Sequence, residues 1–444
     1  ALPICMRAII FSLFFLGAIP TSIAQGLYFP PLTGNTWETM HPSAMGWCPE
    51  GLKNLNSFLE ANGTKAFIVL VDGKIVIEEY YGTFTRDSIW YWASAGKTLT
   101  AFLVGLAQQN RQLSLSDRTS RFLGAGWTQA SREQEDRITI RHQLNMTTGL
   151  HDGVPDNPCT TPSCLLYLAD AGTRWAYHNA PYTLLDDVLH AATNQSLNAL
   201  VFQNFTQTAG ITGLFVKSGF NNVFFSRARS MARFGLIMLN RGNWNGNQIL
   251  TDMTFFEDMI TPSQSFNQSY GYLWWLNGRQ SYMLPQLRNI FAGWLSPAAP
   301  PDMYSALGKN GQILNVIPSL NMVMVRMGND PETGFVPALL NNEIWKRMNA
   351  LACPPTRAAV NPAEPRFAIA PNPATDYVVV SLPGTGYLLE VFDTSGTLIK
   401  AQRILSLSET VPLTSLVPGL YLFRAISPHN QIFTDKVMVW GRKQ

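Results

Sequence analysis

The sequence predicts an antiparallel sheet with helices on its faces, followed by a small all-β sandwich. Segments with strand periodicity stand at both ends of the first domain and enclose segments with helical periodicity. A stretch rich in proline and alanine then separates this part from a region of short strands and glycine turns. Because 46% of the 444 residues are hydrophobic and only 14% are charged, the composition excludes a disordered chain.

The first residues, 1–24, are expected to be a signal peptide. Arg7 precedes an apolar stretch at residues 8–19, and Ser22–Ala24 supplies the small residues that a signal peptidase needs. Cleavage before Gln25 would export the protein. The apolar stretch is about 12 residues long, too short to cross a bilayer as a helix, and no later segment is longer, so we expect no transmembrane span.

The first domain is predicted to extend over residues 25–353. Residues 66–71 and 74–80 have the composition of two strands joined by a turn at Asp72–Gly73. The other elements predicted here are helices at residues 98–109 and 227–240, a single strand comprising residues 304–307 and 311–316, and its partner at residues 321–327.

The second domain is predicted at residues 367–444, after a linker at residues 354–366 that is rich in proline and lacks periodicity. Glycine-containing turns separate its short strands, as in a small β-sandwich of about 75 residues. The strands are predicted at residues 377–382, 388–392, 420–425 and 432–440.

The cysteines predict structural disulfides. Without Cys5, which precedes the mature chain, four cysteines permit three pairings, of which we favour Cys159 with Cys164 and Cys48 with Cys353. No CxxC pair exists and the six histidines lack ligand spacing, so we expect no metal and no other cofactor. The 32 basic and 29 acidic residues form no charged run, which argues against nucleic acid as a partner.

Ser94 and Lys97 form the only Ser-x-x-Lys in the chain, where an aromatic strand at residues 89–92 meets a predicted helix. Three residues along a helix place the amine on the same face as the hydroxyl, one turn away. A serine becomes nucleophilic when a base takes its proton, and Lys97 is a candidate base if burial lowers its pKa towards neutrality. The helix start can also stabilise an oxyanion.

Two further motifs supply candidate partners. Tyr177-x-Asn179 is the only Tyr-x-Asn and lies in a predicted loop, and a phenol beside two lysines is expected to be partly ionised and to relay a proton. Lys309-x-Gly311 leads into a strong strand, from which Lys309 would face a substrate carboxylate or carbonyl and the backbone N–H of Gln312 would act as an oxyanion donor. The alternative is that Tyr177 is an ordinary buried tyrosine.

The ordered set Ser94-x-x-Lys97, Tyr177-x-Asn179 and Lys309-x-Gly311 resembles the serine β-lactamase and penicillin-binding-protein superfamily, most closely class C β-lactamases and their esterase and peptidase relatives. Residues 139–150, 228–246 and 270–275 also resemble segments of that branch, so the resemblance covers roughly residues 36–352. It implies an α+β fold of the β-lactamase/transpeptidase type, with an all-helical region beside the sheet.

The resemblance also implies roles for these residues. Ser94 would be the acylated nucleophile, Lys97 its proton partner and Tyr177 the general acid or base. Asn179 would contact a substrate amide, and Lys309 would be an electrostatic anchor. Asn310 departs from the pattern, because true β-lactamases carry threonine there, which puts binding of a β-lactam carboxylate in doubt.

The C-terminal domain has a resemblance of its own. Residues 370–376, 391–396 and 417–421 are similar, in that order, to the type A sorting domain of type IX secretion in Bacteroidetes. This implies that the secretion machinery is a partner and that the protein reaches the cell surface or the medium of a Gram-negative bacterium. The alternative is a carbohydrate-binding or adhesive sandwich, although no aromatic face is evident.

Together these patterns predict a secreted serine hydrolase that acts on a small-molecule or peptide ester or amide, as an esterase, D-amino peptidase or related amide hydrolase. The alternative from another class is a catalytically silent sensor or surface binding protein that keeps the penicillin-binding fold. The residues Trp90, Trp92, Trp175 and Trp274 are expected to be core rather than an acyl pocket, and Lys217, in a second Lys-x-Gly, a solvated surface lysine.

Overall fold

The computed structural model describes residues 26–330, 336–353 and 366–440. The chain divides into two compact units, Ala1–Cys353 and Pro354–Gln444. The expected signal peptide and nearly all of the expected linker lie outside the described residues. No helix in the described ranges is both long and apolar enough to cross a membrane.

The first unit is built on a six-stranded antiparallel sheet in the order β2-β1-β13-β12-β11-β8. Its central strands are almost entirely buried, so they consist of continuous apolar runs rather than alternating residues. The strands of this unit are β1 (Thr64–Val71), β2 (Lys74–Tyr80), β3 (Trp90–Tyr91), β4 (Gly213–Ser218), β5 (Asn221–Ser226), β6 (Asn243–Trp244), β7 (Asn247–Gln248), β8 (Trp275–Leu276), β9 (Ser281–Tyr282), β10 (Phe291–Ala292), β11 (Tyr304–Gly308), β12 (Gln312–Ile317) and β13 (Met322–Gly328).

Helices cover this sheet and form a separate helical region. Helix α10 packs on β1, β12 and β13, and a side chain at Gly235 would overlap Val323, which explains a glycine within this helix. The helices are α1 (Pro49–Ala61), α2 (Lys97–Gln109), α3 (Ser120–Leu123), α4 (Arg132–Glu135), α5 (Ile140–Leu144), α6 (Asn179–Thr183), α7 (Leu185–Thr193), α8 (Leu197–Val201), α9 (Gln207–Ala209), α10 (Ala228–Leu239), α11 (Met253–Met259) and α12 (Ala338–Asn349). The predicted fold class is confirmed.

One strand prediction is wrong. The segment expected to be a single strand forms two antiparallel strands, β11 and β12, with Gly308 opposite Gln312. A 3₁₀ turn at Lys309–Gly311 joins them. Asn310 and Gly311 have φ angles of +61° and +79°, and two consecutive left-handed residues reverse the chain as in a tight hairpin. Lys309 therefore lies in a turn and not on a strand.

Both favoured disulfides are present. Cys48–Cys353 joins the residue before α1 to the end of the first unit, across 305 residues, and Cys159–Cys164 closes a short loop. In the chain-entropy model, closing a loop of the first length stabilises the fold by about 6 kcal/mol, and a loop of the second length by about 2 kcal/mol.

The second unit is a β-sandwich, as predicted. A three-stranded sheet, β14-β15-β18, and a four-stranded sheet, β17-β16-β19-β20, share one hydrophobic core. Burial alternates along β16, as expected when one face of a sheet is covered. The strands are β14 (Ala368–Ala370), β15 (Tyr377–Ser381), β16 (Tyr387–Phe392), β17 (Leu398–Ile404), β18 (Ser408–Pro412), β19 (Gly419–Ile426) and β20 (Ile432–Val439). The sequence did not predict β14, β17 and β18, which are short or largely exposed.

Candidate active site

Ser94 lies in a 3₁₀ turn, Ala93–Gly96, that leads directly into α2. Its side chain is half-buried, so solvent and a substrate can reach it. A hydrogen bond next to the turn stabilises its position: the indole nitrogen of Trp92 donates to Ser226 Oγ on β5 at 2.8 Å. The free N–H groups of a helix start therefore lie next to a reachable hydroxyl.

Lys97 is the first residue of α2 and is 4% exposed. Its Nζ donates a 2.9 Å hydrogen bond to Ser94 Oγ, as the three-residue spacing predicted. Burial lowers the pKa of Lys97 to about 7, although the nearby Asp186 carboxyl raises it in part. The amine can thus lose its proton near neutral pH and accept one there.

Tyr177 completes this group, from the irregular segment before α6. The Lys97 Nζ lies 5.3 Å from the centre of its ring, and the hydroxyl interacts with Ser94 by hydrogen bonding. Burial raises the pKa of Tyr177 well above its usual value, so its hydroxyl is protonated at neutral pH. The expectation of a partly ionised phenol is wrong, because desolvation of the buried phenol outweighs the lowering effect of its hydrogen bond with Ser94.

Aromatic packing holds Tyr177 in place. Its ring stacks on Trp275 at 6.0 Å between centroids and meets the edge of Tyr270 at 6.2 Å. Trp175 packs against both Tyr270 and Trp275, at 5.4 and 6.3 Å. Rings in such contacts have few alternative rotamers, so the phenol is fixed relative to Ser94.

Asn179 begins α6, two residues after Tyr177, and is partly buried. Asn157 Oδ1 accepts hydrogen bonds from both the backbone N–H and the side-chain Nδ2 of Asn179, at 3.1 and 2.9 Å. Asn157 in turn donates to the carbonyl of Asp152. The loop that ends at the Cys159–Cys164 disulfide therefore orients the Asn179 amide.

The turn between β11 and β12 lies against Ser94. A side chain at Gly308 would overlap the Trp92 carbonyl and would come within 3.1 Å of the Ser94 nitrogen, so only glycine permits this approach. Lys309 follows it and is exposed, and Gln312 begins β12 opposite Gly308. The structure thus brings this segment and the Ser94 turn together.

The side chains of the remaining predicted residues in this turn are engaged in the fold. Gln312 is fully buried. Its Nε2 donates a 2.6 Å hydrogen bond to the Gly328 carbonyl, and its Oε1 accepts one of 3.1 Å from the Gly328 N–H. Gly311 is buried against Arg326, whose Nη1 donates to the Gly311 carbonyl at 2.7 Å. The Asn310 amide donates to the Tyr91 hydroxyl at 2.8 Å. Because glycine has no side chain and the Gln312 side chain is buried, Gly311 and Gln312 can contact a substrate only through backbone atoms.

Asn310 is explained by its backbone. Asparagine adopts the left-handed conformation readily, whereas a β-branched threonine at φ +61° would be strained. The departure from Lys-Thr-Gly therefore belongs to the shape of this turn and leaves no hydroxyl beside Lys309.

Two residues near Lys97, and a third beside Asn179, were missed by the sequence analysis. Tyr182 places its ring 4.3 Å from the Lys97 Nζ. Asp186 on α7 is buried, accepts a hydrogen bond from Asn222, and has its pKa raised to about 7 by burial. The signal that was available is the four-residue spacing of Tyr182 and Asp186, which places both on one side of consecutive helices. The third, Asn157, had no signal.

Most of the tryptophans noted in the sequence are core residues, and the second Lys-x-Gly lysine lies at the surface. Trp92, Trp175 and Trp274 are buried in the core and Trp90 is partly buried against it. Lys217 is exposed on β4. In the part of the chain that the structure describes, no group of three or more His, Cys, Asp and Glu side chains could hold a metal ion.

Comparisons with known proteins identify both units. The model of the β-lactamase family matches residues 59–346, and the model of the secretion system C-terminal sorting domain matches residues 368–440. The second match confirms the predicted type IX sorting domain and indicates export to the cell surface or the medium. Among curated proteins, none matches the chain.

Solved structures share the fold at low identity. A Bacillus anthracis protein provisionally assigned as a 6-aminohexanoate-dimer hydrolase has a TM-score of 0.56 at 17% identity, covering 74% of this chain and 92% of its own. A penicillin-binding-protein homologue from Caulobacter crescentus has a TM-score of 0.52 at 11% identity, covering 69% and 98%. A family VIII carboxylesterase has a TM-score of 0.51 at 15% identity, covering 68% and 98%. This chain belongs to the β-lactamase family and carries a type IX secretion sorting domain at its C-terminus.

Proposed function

We propose that this protein is an exported serine hydrolase that cleaves an ester or amide through an acyl-enzyme on Ser94. The observation that carries the proposal is the 2.9 Å hydrogen bond between Ser94 Oγ and a fully buried Lys97 whose pKa is about 7. A lysine kept in this state is unsuited to an ion pair and suited to accepting a proton.

In the first half-reaction Lys97 takes the proton of Ser94 as Oγ attacks the substrate carbonyl. The developing oxyanion accepts hydrogen bonds from the backbone N–H groups of Ser94 and Gln312, which the close approach of Gly308 supports. Tyr177, a protonated phenol held beside Ser94, passes a proton to the leaving alcohol or amine and is reprotonated from Lys97.

In the second half-reaction water attacks the acyl group. The same groups act in reverse: Tyr177 passes its proton to Lys97 and accepts the proton of the attacking water, and Lys97 then protonates Ser94 Oγ as it leaves. No metal or organic cofactor takes part in this proposal.

The substrate is proposed to be an ester, an amide or a D-amino-acid peptide rather than a β-lactam. Lys309, exposed at the edge of the site, would attract a substrate carboxylate, and Asn179, held by Asn157, would contact a substrate amide. The turn lacks a hydroxyl beside Lys309, because the Asn310 amide is turned to Tyr91.

A fluorophosphonate probe tests the proposal. We expect one covalent adduct, located on Ser94 by mass spectrometry and abolished in Ser94→Ala. The exposed Ser116 provides the matched control, since Ser116→Ala should label like the wild type. Absence of labelling would favour the alternative, a catalytically silent binding protein.

Assays of substrates side by side test the substrate class. Short-chain nitrophenyl esters and D-Ala-containing peptides are the expected substrates, and turnover should disappear in Ser94→Ala. Efficient turnover of a chromogenic cephalosporin would contradict the inference from Asn310.

A further inference from the structure

The first unit contains a cleft of about 310 Å³ that Ser94, Lys97 and Tyr177 do not line. Its wall is formed by residues 32–37, by the segment before β3 and by the start of α10. Four arginines line it, Arg86, Arg227, Arg229 and Arg233, whereas Asp87 is the one carboxylate among its lining residues. Such a concentration of guanidinium groups costs energy through mutual repulsion unless an anion is present.

Arg233 forms the floor of the cleft and is only 6% exposed. Its guanidinium donates to two backbone carbonyls, those of Ala209 at 2.9 Å and Pro31 at 2.6 Å. In the described part of the chain no carboxylate lies within ion-pair distance of it, and burial together with the neighbouring Arg229 lowers its pKa to about 10. The rings of Trp37 and Trp244, whose centroids lie 5.3 and 5.4 Å from the Arg233 Cζ, stabilise the cation in part, but no described carboxylate neutralises it, and this favours a bound anion.

Arg229 is neutralised within the protein. Its Nε and Nη2 donate to the two carboxylate oxygens of Glu78, at 2.6 and 2.7 Å, and its Nη1 donates to the Asn35 carbonyl. This fork-to-fork pair fixes the wall of the cleft next to Arg233, and it leaves Arg229 little capacity for a ligand.

The side chains of Arg86 and Arg227 are available to contact a ligand. Both lie near Asp87, at 3.9 and 3.5 Å, so one carboxylate is shared by two guanidinium groups. Their side chains are 41% and 44% exposed, and the Nε of Arg86 is buried without a hydrogen-bond partner. Each can therefore turn planar pairs of donors towards an oxyanion.

The backbone adds to the positive charge. Helix α10 has twelve residues and begins at this cleft, with Arg227 as its N-cap residue. The Arg227 side chain makes no capping hydrogen bond, and of the first-turn N–H groups that of Ser230 donates to the Arg227 carbonyl at 3.1 Å, so those of Ala228 and Arg229 and the positive end of the helix dipole face the cleft entrance without a side-chain cap. The hydroxyls of Thr36, Thr212 and Ser230 line the same space and suit a polar ligand.

We propose that this cleft binds a small molecule carrying a phosphate or carboxylate group. The oxyanion would lie between Arg86 and Arg227, above Arg233, which has no carboxylate partner among the described residues. The volume of the cleft is at the lower end of the range for ligand sites, about 300 to 1,000 Å³, which limits the ligand to a small metabolite. This site is separate from the proposed acyl-enzyme chemistry.

Isothermal titration calorimetry with inorganic phosphate and with citrate, at ionic strength matched by chloride, tests the proposal on the mature full-length chain. We expect saturable binding of at least one probe, and at least tenfold weaker binding in the double variant Arg86→Gln, Arg227→Gln. Phosphate alone would indicate a phosphate ester as ligand, and citrate alone a polycarboxylate.

The matched control is Arg132→Gln. Arg132 belongs to another arginine-rich surface, but there Asp136 neutralises Arg118 and Arg132, so this variant should bind like the wild type. The midpoint of thermal unfolding in chloride, compared with that of the wild type, checks that each variant is folded. If the double variant is unstable, the single variant Arg86→Gln replaces it in the titration. Absence of saturable binding of both probes to the wild type, or equal binding by the Arg86 variant, would overturn the proposal.

Discussion

Replacement of Lys97 by methionine should make the protein more stable, and more so at neutral than at alkaline pH. Methionine fills a similar volume but carries no charge, so it removes the free-energy cost of an amine in a dry site. The unfolded lysine titrates near 10.5 and the native one near 7, so unfolding takes up a proton between these pH values. The wild type therefore gains stability as pH rises through this window, and the variant lacks this dependence.

The magnitude follows from the two pKa values. At pH 7 the difference corresponds to about 4 kcal/mol of stability that the wild type lacks, and at pH 9.5 to about 1 kcal/mol. The first figure is an upper value, because the variant also loses the hydrogen bond between Lys97 Nζ and Ser94 Oγ. The hydrolytic activity should fall by a factor of about 10² to 10⁴, as expected for loss of a general base.

Urea unfolding of both proteins at pH 7 and pH 9.5, followed by tryptophan fluorescence with the disulfides intact, measures this difference. Lys217→Met is the matched control, because Lys217 is exposed on β4 and its replacement should change stability little at either pH. A Lys97→Met variant that is less stable than the wild type, or whose advantage is the same at both pH values, would refute a buried amine of lowered pKa.

Two further predictions concern the site and the turn beside it. The kcat/KM for an ester should rise with pH through about 7 as Lys97 loses its proton. Asp186→Asn should move this midpoint to lower pH, because the Asp186 carboxyl raises the pKa of Lys97. A pH-rate profile of both proteins measures the midpoint, and an unchanged midpoint would contradict the assignment of the titration to Lys97. Gly311→Ala should destabilise the fold by about 3 kcal/mol, because the added Cβ would overlap Arg326 and the backbone φ is left-handed. Gly246→Ala should cost about 1 kcal/mol, because Gly246 is also left-handed but lies in open space. Equal losses of stability in denaturant unfolding would contradict the close approach of Arg326 to Gly311.

The sequence predicted the centre of the site well, because that part depends on local geometry. Three residues at a helix start suffice to bring an amine to a hydroxyl, so Ser94 and Lys97 could be paired from spacing alone. The ionisation of Tyr177 could not be predicted, since it depends on how completely distant segments cover the ring.

The turn at Lys309–Gly311 shows where periodicity is insufficient. Two apolar runs separated by three residues fit one strand or a hairpin equally well, and the decision rests on the left-handed backbone at Asn310 and Gly311. The Gly308 approach to Ser94 and the burial of Arg326 under Gly311 both follow from the hairpin, and neither was visible in the sequence.

The sequence by itself determined the two-unit organisation, the antiparallel sheet with its helices and the chemical identity of the candidate nucleophile and base, because hydrophobic periodicity and helical spacing are local properties. For the disulfides it left three pairings, of which the structure contains the favoured one. Tertiary structure decided the protonation states of Lys97 and Tyr177, the hold of Asn157 on Asn179, and the gathering of four arginines in one cleft. These depend on desolvation and on contacts between residues far apart in the chain, which no local pattern encodes.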